Sequence, residues 1–256
     1  MKQEILKTLA CKCSINIKSG SFYNEPYKHL IVDDFFPEHL ANECLSSFPT
    51  IDDNSSWEHQ NDKDIEIKSR SNWKSEFDIP ENIIDAVRIL NSSLILQSFA
   101  KVFDIKKLIP DPYFAGGGLN ITQRGGLLDV HIDGNFHDAT GLNRRMNAIL
   151  YLNPEWEESW GGYFGIYNND GTKLIKKIAP KFNRLVVFDS HDYSFHGLPD
   201  QLNFPEGENR KSIILYYYTK SPRLKNQTII DKPHSALWVK KGLKDKKGGI
   251  SRYKHD

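Results

Sequence analysis

From Tyr113 onward the chain breaks into short runs rich in β-branched and aromatic residues: "GLNITQ", "LLDVHID", "MNAILYLN", "GGYFGIYN", "KLIKKIAP", "RLVVFDS", "SFHGLPD" and "KSIILYYYTK". Gly, Asn, Asp or Pro stands between them. Turn signals recurring every roughly 8–14 residues predict strands folded as a sandwich or jelly roll. The earlier sequence reads differently. "HLIVDDFFPEHLANECLSSFP" passes from the apolar Leu30, Ile31 and Val32 to Leu40, Cys44 and Leu45 at helical spacing behind Pro37, a strand and then a helix. "NDKDIEIKSRSNW" is charged and reads as a loop or edge strand. "PENIIDAVRILNSSLILQSFAKVFDI" carries the i, i+3, i+4 apolar spacing of one or two helices. The expected fold is mainly β (α+β), a double-stranded β-helix (jelly roll) core over about 113–220. Helices within 27–105 pack outside it, and an irregular, locally basic extension follows at 221–256.

At 256 residues, folding should bury roughly 70–75% of the chain's surface, enough for one large core. No break in composition asks for a second domain. The 34 basic and 33 acidic residues leave a formal charge of +1, so no field draws in nucleic acid or membrane, and neither is an expected partner. Cys11, Cys13 and Cys44 are too few and too unevenly spaced for a disulfide framework or a paired zinc site. No window approaches the ~18 apolar residues of a membrane span. The expected location is cytoplasmic.

Two histidines and an aspartate crowd the stretch "HIDGNFH". On a strand, residues i and i+2 share a face, so His131 and Asp133 point together while Ile132 turns away. His196 in "YSFHGLP" closes an apolar approach through Val186, Val187 and Phe188, and is expected at the end of a returning strand, reaching the same space from the facing sheet. Two histidines and a carboxylate on one face of a divalent ion are the ligand set of non-heme Fe(II) oxygenases. His137 and His191 read as ordinary histidines. Further on, Arg210 and Ser212 also stand two apart, bringing a guanidinium and a hydroxyl to one face, a pair suited to a carboxylate ligand.

The order H-x-D, His196, then R-x-S resembles the Fe(II)/2-oxoglutarate-dependent dioxygenases, specifically the prolyl 4-hydroxylase-like branch. "RRMNAILYLNPEWEESWGGYFGIYN" and the entry "YKHLIVDDFFPEHLANECLSSFP" are similar to that branch as well. The resemblance implies Fe(II) on His131, Asp133 and His196, and 2-oxoglutarate chelating it with its distal carboxylate on Arg210 and Ser212; O2 is the co-substrate. Asn147 and Tyr151 are candidates for cofactor contacts, and Asn135, Arg144 and Arg145 for orienting substrate. A tyrosine that many relatives place before the H-x-D strand is missing from "NITQRGGLLDV". The implied reaction is hydroxylation of an unactivated C–H bond, of a prolyl residue or a free amino acid. Alternatives are the same chemistry on a sugar, lipid or other small metabolite, a cupin-like non-redox metalloenzyme, or a degenerate binding module.

Overall fold

The computed structural model describes residues 2–53 and 55–250. It opens with helix α1 (Lys2–Ser19), strands β1 (Ser21–Tyr23) and β2 (His29–Val32) and helix α2 (Glu38–Ser46). The hairpin β3 (Trp57–Asp62) and β4 (Glu66–Ser71) follows, then α3 (Glu81–Leu90) and α4 (Ser93–Phe103). The remaining strands are β5 (Ile109–Pro110), β6 (Gly118–Thr122), β7 (Leu127–Leu128), β8 (His131–Ile132), β9 (Asn143–Tyr151), β10 (Phe164–Tyr167), β11 (Leu174–Ile178), β12 (Leu185–Asp189), β13 (His196–Gly197), β14 (Arg210–Thr219) and β15 (Leu237–Trp238).

Two antiparallel sheets hold these strands. The larger, ten-stranded sheet runs β1-β2-β12-β9-β14-β6-β4-β3, with β5 on β14 and β7 on β4. The smaller runs β11-β10-β13-β8-β15. Alternation along the central strands divides the interior into two layers. Ala148, Leu150, Leu185, Val187, Ile213, Leu215 and Tyr217 face the helices and join Cys13, Ile17, Ile83, Val87, Ile95 and Phe99 in one cluster. Their neighbours Ile149, Tyr151, Val186 and Phe188 face the smaller sheet and meet Phe164, Ile166 and Ile178. The site lies on this inter-sheet side.

The expected double-stranded β-helix with helices outside it is present, with differences in detail. Residues 2–19, to which the sequence reading assigns no element, form α1, whose buried seam is only Leu9, Ala10, Cys13 and Ile17. So narrow a stripe, partly made of a cysteine behaving as a small hydrophobe, gives little sequence signal. The charged stretch around 60–72 is a hairpin whose outer strand β3 forms the sheet edge. The C-terminal extension is not wholly irregular, because β15 pairs with β8 and completes the smaller sheet.

His196 does not reach its site from the facing sheet. The chain leaves β12 in the larger sheet and crosses to the smaller one, where β13 pairs with β8 and sets His196 directly opposite His131. Strand β12 and His196 are thus on different sheets, a crossover that an apolar run followed by a turn does not reveal. Among the described residues no single helix is long and apolar enough to cross a membrane.

Candidate active site

His131, Asp133 and His196 offer ligand atoms that lie within 4.8 Å of one another. Nε2 of His131 is 3.7 Å from Asp133 Oδ1, and Nε2 of His196 is 3.5 Å from Asp133 Oδ2. Three donors on one face of an ion, each about 2.1 Å from it, would stand roughly 3 Å apart. The observed spacings are slightly wider, so small side-chain adjustments seat a single ion. Each imidazole is already oriented: Nδ1 of His131 meets the carbonyl of Asp129 at 2.8 Å, and Nδ1 of His196 meets that of Ser194 at 2.8 Å. In this arrangement Nδ1 carries the proton and Nε2 presents its lone pair inward.

Electrostatics prepare the same state. Burial, reinforced by the charge of His196, lowers the His131 pKa to about 3, and burial also lowers that of His196. Burial alone would raise Asp133, but His196, Arg144, His131 and the Asn147 amide outweigh it and hold its pKa well below the carboxylate range. Two neutral imidazoles and one carboxylate are the protonation states a divalent cation requires.

The expected cofactor residues fall on one face of the larger sheet. Ser212 of β14 stands between Tyr151 of β9 and Asn120 of β6 in cross-strand register, with Arg210 two positions earlier opposite Thr122. Arg210 is buried; Nε donates to the Gly162 carbonyl at 2.7 Å and Nη2 to the Tyr151 hydroxyl at 3.2 Å. Gly162, at φ +76, permits this approach, since a Cβ there would sit 3.1 Å from Arg210 Cδ. The Ser212 hydroxyl and the Asn120 amide nitrogen are buried without a protein partner. A buried guanidinium beside two donors that lack an acceptor fits a carboxylate ligand. Tyr151 supplies a phenol at this site, where a tyrosine before the H-x-D strand is missing. Asn147 serves the metal side instead, its Nδ2 donating to Asp133 Oδ2.

The expected substrate residues separate. Arg144 is held with its guanidinium 3.8 Å from the Tyr216 ring centroid and Nη1 3.6 Å from Asp133 Oδ1. It reaches this position through a β-bulge: Tyr217 pairs with Met146 but Tyr218 pairs with Arg144, leaving Arg145 as the extra residue. In an unbroken strand Arg144 would share the face of Met146, which packs with the helices. Arg145 acts electrostatically on His191 and Arg223. Asn135 is spent on the C-terminal segment, donating from Nδ2 to the Lys232 carbonyl and accepting at Oδ1 from the His234 amide. His137 is paired with Asp111 at 2.9 Å, a structural histidine as expected. Sequence reasoning missed Asn120, whose signal was a polar residue at an inward position of an apolar strand. It also missed Trp238, stacked on His131 at 4.5 Å.

Residues 117–218 match the family model described as the 2OG-Fe(II) oxygenase superfamily. Among curated proteins, prolyl 3-hydroxylase OGFOD1 of Mus musculus is 32% identical over 106 residues, 38% of this chain and 19% of that protein. Its counterpart in Xenopus laevis is 31% identical over 38% of this chain and 20% of that protein. The matched segment therefore spans about a fifth of these relatives. Among solved structures, a prolyl hydroxylase from Trichoplax adhaerens in complex with a hypoxia inducible factor peptide fragment covers 85% of this chain and 92% of its own at TM-score 0.57 and 16% identity. A Pseudomonas putida prolyl-4-hydroxylase covers 84% of this chain and all of its own at TM-score 0.51 and 16% identity. These likenesses show a shared fold.

Proposed function

We propose that this chain is a 2OG-Fe(II) oxygenase, a 2-oxoglutarate-dependent hydroxylase acting on a prolyl residue of a protein. Iron with 2-oxoglutarate and O2 supplies the oxidising chemistry, replacing a C–H hydrogen with hydroxyl and yielding succinate and CO2. The chain's own residues supply placement. His131, Asp133 and His196 would hold the ion on one face, and Asn147 fixes the Asp133 carboxylate. Arg210, Ser212, Tyr151 and Asn120 would bind the distal carboxylate of 2-oxoglutarate. Arg144, braced on Tyr216 beside the metal ligands, is the group proposed to orient substrate, since its guanidinium can donate to a peptide carbonyl.

The observation that carries the cofactor reading is the buried Arg210 beside two unpartnered donors. A cupin-like Lewis-acid site would have no use for this second, carboxylate-shaped group, and a degenerate module would not retain three convergent ligands. The prolyl reading is supported by the named activities of the relatives. The test is succinate formation with Fe(II), 2-oxoglutarate and a panel of proline-containing peptides, free amino acids and sugar acids, with mass spectrometry for a +16 Da product. Coupled turnover on peptides is expected. Coupling only to a sugar acid or free amino acid would overturn the prolyl assignment, and no 2-oxoglutarate-dependent succinate formation under any of these conditions would overturn the oxygenase reading.

A further inference from the structure

The family match ends at residue 218, yet the next thirty residues touch the surroundings of all three metal ligands. Arg223, buried, donates from Nε to the carbonyl of Arg144 at 3.1 Å and from Nη1 to Asp192 at 2.6 Å. Asp192, fully buried, also accepts from the Ile229 amide at 2.8 Å and faces His234 Nε2 at 3.2 Å. That anchor lies four residues before His196. Beside Asp133, a Cβ on Gly134 would come within 2.9 Å of the His234 carbonyl, so the segment runs directly over this glycine. Asn135 clasps it through Lys232 and His234. Beside His131, Trp238 of β15 pairs with that histidine in register and stacks its indole on the imidazole, 27° from parallel. The amide of Lys240 then donates to the carboxylate of Asp129, whose carbonyl holds His131 Nδ1.

We infer that residues 221–240 form a strap that positions the iron ligands, with Trp238 as the residue that fixes the plane of the His131 ring. The strap and the residues it grips lie around the ligands: Trp238 and Lys240 at His131 and Asp129, His234 over Gly134 and clasped by Asn135 next to Asp133, and Arg223 and His234 on Asp192, four residues before His196. An imidazole whose ring orientation is set in advance loses less freedom on binding the ion, and partners of this outer kind alter metal affinity by about 10–100-fold. Trp238 is a positioning residue, because it acts through His131 and not on substrate or cofactor.

This inference rests on the reading of His131, Asp133 and His196 as the metal centre. The test is Co(II) titration of the full chain, following affinity and the visible d–d spectrum well below the melting temperature. Trp238→Ala is expected to weaken Co(II) binding about tenfold and to alter the spectrum, while Trp238→Phe, which keeps an aromatic face on the imidazole, restores both. Asn135→Ala, which unclasps the strap without opening the core, should weaken binding in the same direction even if Trp238→Ala fails to fold. Wild-type affinity and spectrum in both Trp238→Ala and Asn135→Ala would overturn the strap. A wild-type chain that takes up no Co(II), or a His131→Ala chain that binds it equally well, would instead overturn the metal centre on which the strap depends.

Discussion

At the scale of single residues, Asp133 and Ser212 illustrate opposite costs of a prepared site. Asp133 is kept ionised among His131, His196 and Arg144. Asp133→Ala should remove 2-oxoglutarate turnover to background in a succinate assay, since two neutral imidazoles give a divalent ion no compensating charge. Ser212 buries a hydroxyl without a protein partner, which is unfavourable until a ligand accepts from it. Ser212→Ala should therefore stabilise the ligand-free protein slightly in a thermal melt while weakening 2-oxoglutarate binding, each by about 1 kcal/mol. Arg210→Lys keeps the charge but gives up the guanidinium that spans the Gly162 carbonyl and the Tyr151 hydroxyl. The KM for 2-oxoglutarate should rise roughly ten- to a hundredfold, about 1.5–3 kcal/mol for a charge-assisted hydrogen-bonding group, with little change in iron affinity.

At the scale of elements, packing gives each cysteine and each buried acid its behaviour. Cys13 of α1 and Cys44 of α2 are buried, and burial pushes both thiols up to about 12, whereas Cys11 lies on the exposed side of α1. One thiol should react promptly with a disulfide reagent in the native protein, and three after denaturation; a second fast thiol would mean that the helical layer opens. Glu66 of β4 is buried against Lys68 and Lys246. Burial alone would raise its pKa, but the two ammonium groups prevail and lower it to about 2 from an ordinary 4.5. A depressed folded-state value contributes stability that is present above pH 4.5 and is lost as pH falls toward 2. Glu66→Gln should flatten the acid limb of the stability curve across that window, measured by urea denaturation.

For the whole molecule, the central strands of the larger sheet contribute to both the helix-side and the inter-sheet clusters, so ligand binding between the sheets should stabilise the chain beyond the site itself. With 2-oxoglutarate and a non-oxidising divalent ion near a hundred times their dissociation constants, each site adds about 2.7 kcal/mol by linkage. For a chain of this size each kcal/mol moves Tm by about 2–4 °C. A rise of at least roughly 5 °C is expected with either ligand bound, and Asp133→Ala should abolish the part due to the ion.

The order of chemistry along the chain was legible in the sequence because it depends on local periodicity and residue type. His131 and Asp133 two apart, Arg210 and Ser212 two apart, and β-forming runs between turn signals are all short-range patterns. The helices from Pro37 to Phe103 were visible for the same reason, while α1 was not, because its apolar seam is thin. Tertiary structure alone decided the relations that depend on register and crossover. The bulge at Arg145 turns Arg144 toward Asp133, although Arg144 is an odd number of residues from Asn147. The crossing between sheets sets His196 opposite His131, sixty-five positions away in sequence. Strand β15 brings Trp238 onto the same histidine from beyond the family's matched span. Local sequence dictates which side of a strand a residue occupies; which strand lies beside it is set by how the apolar faces of both sheets are buried together, a property of the whole chain.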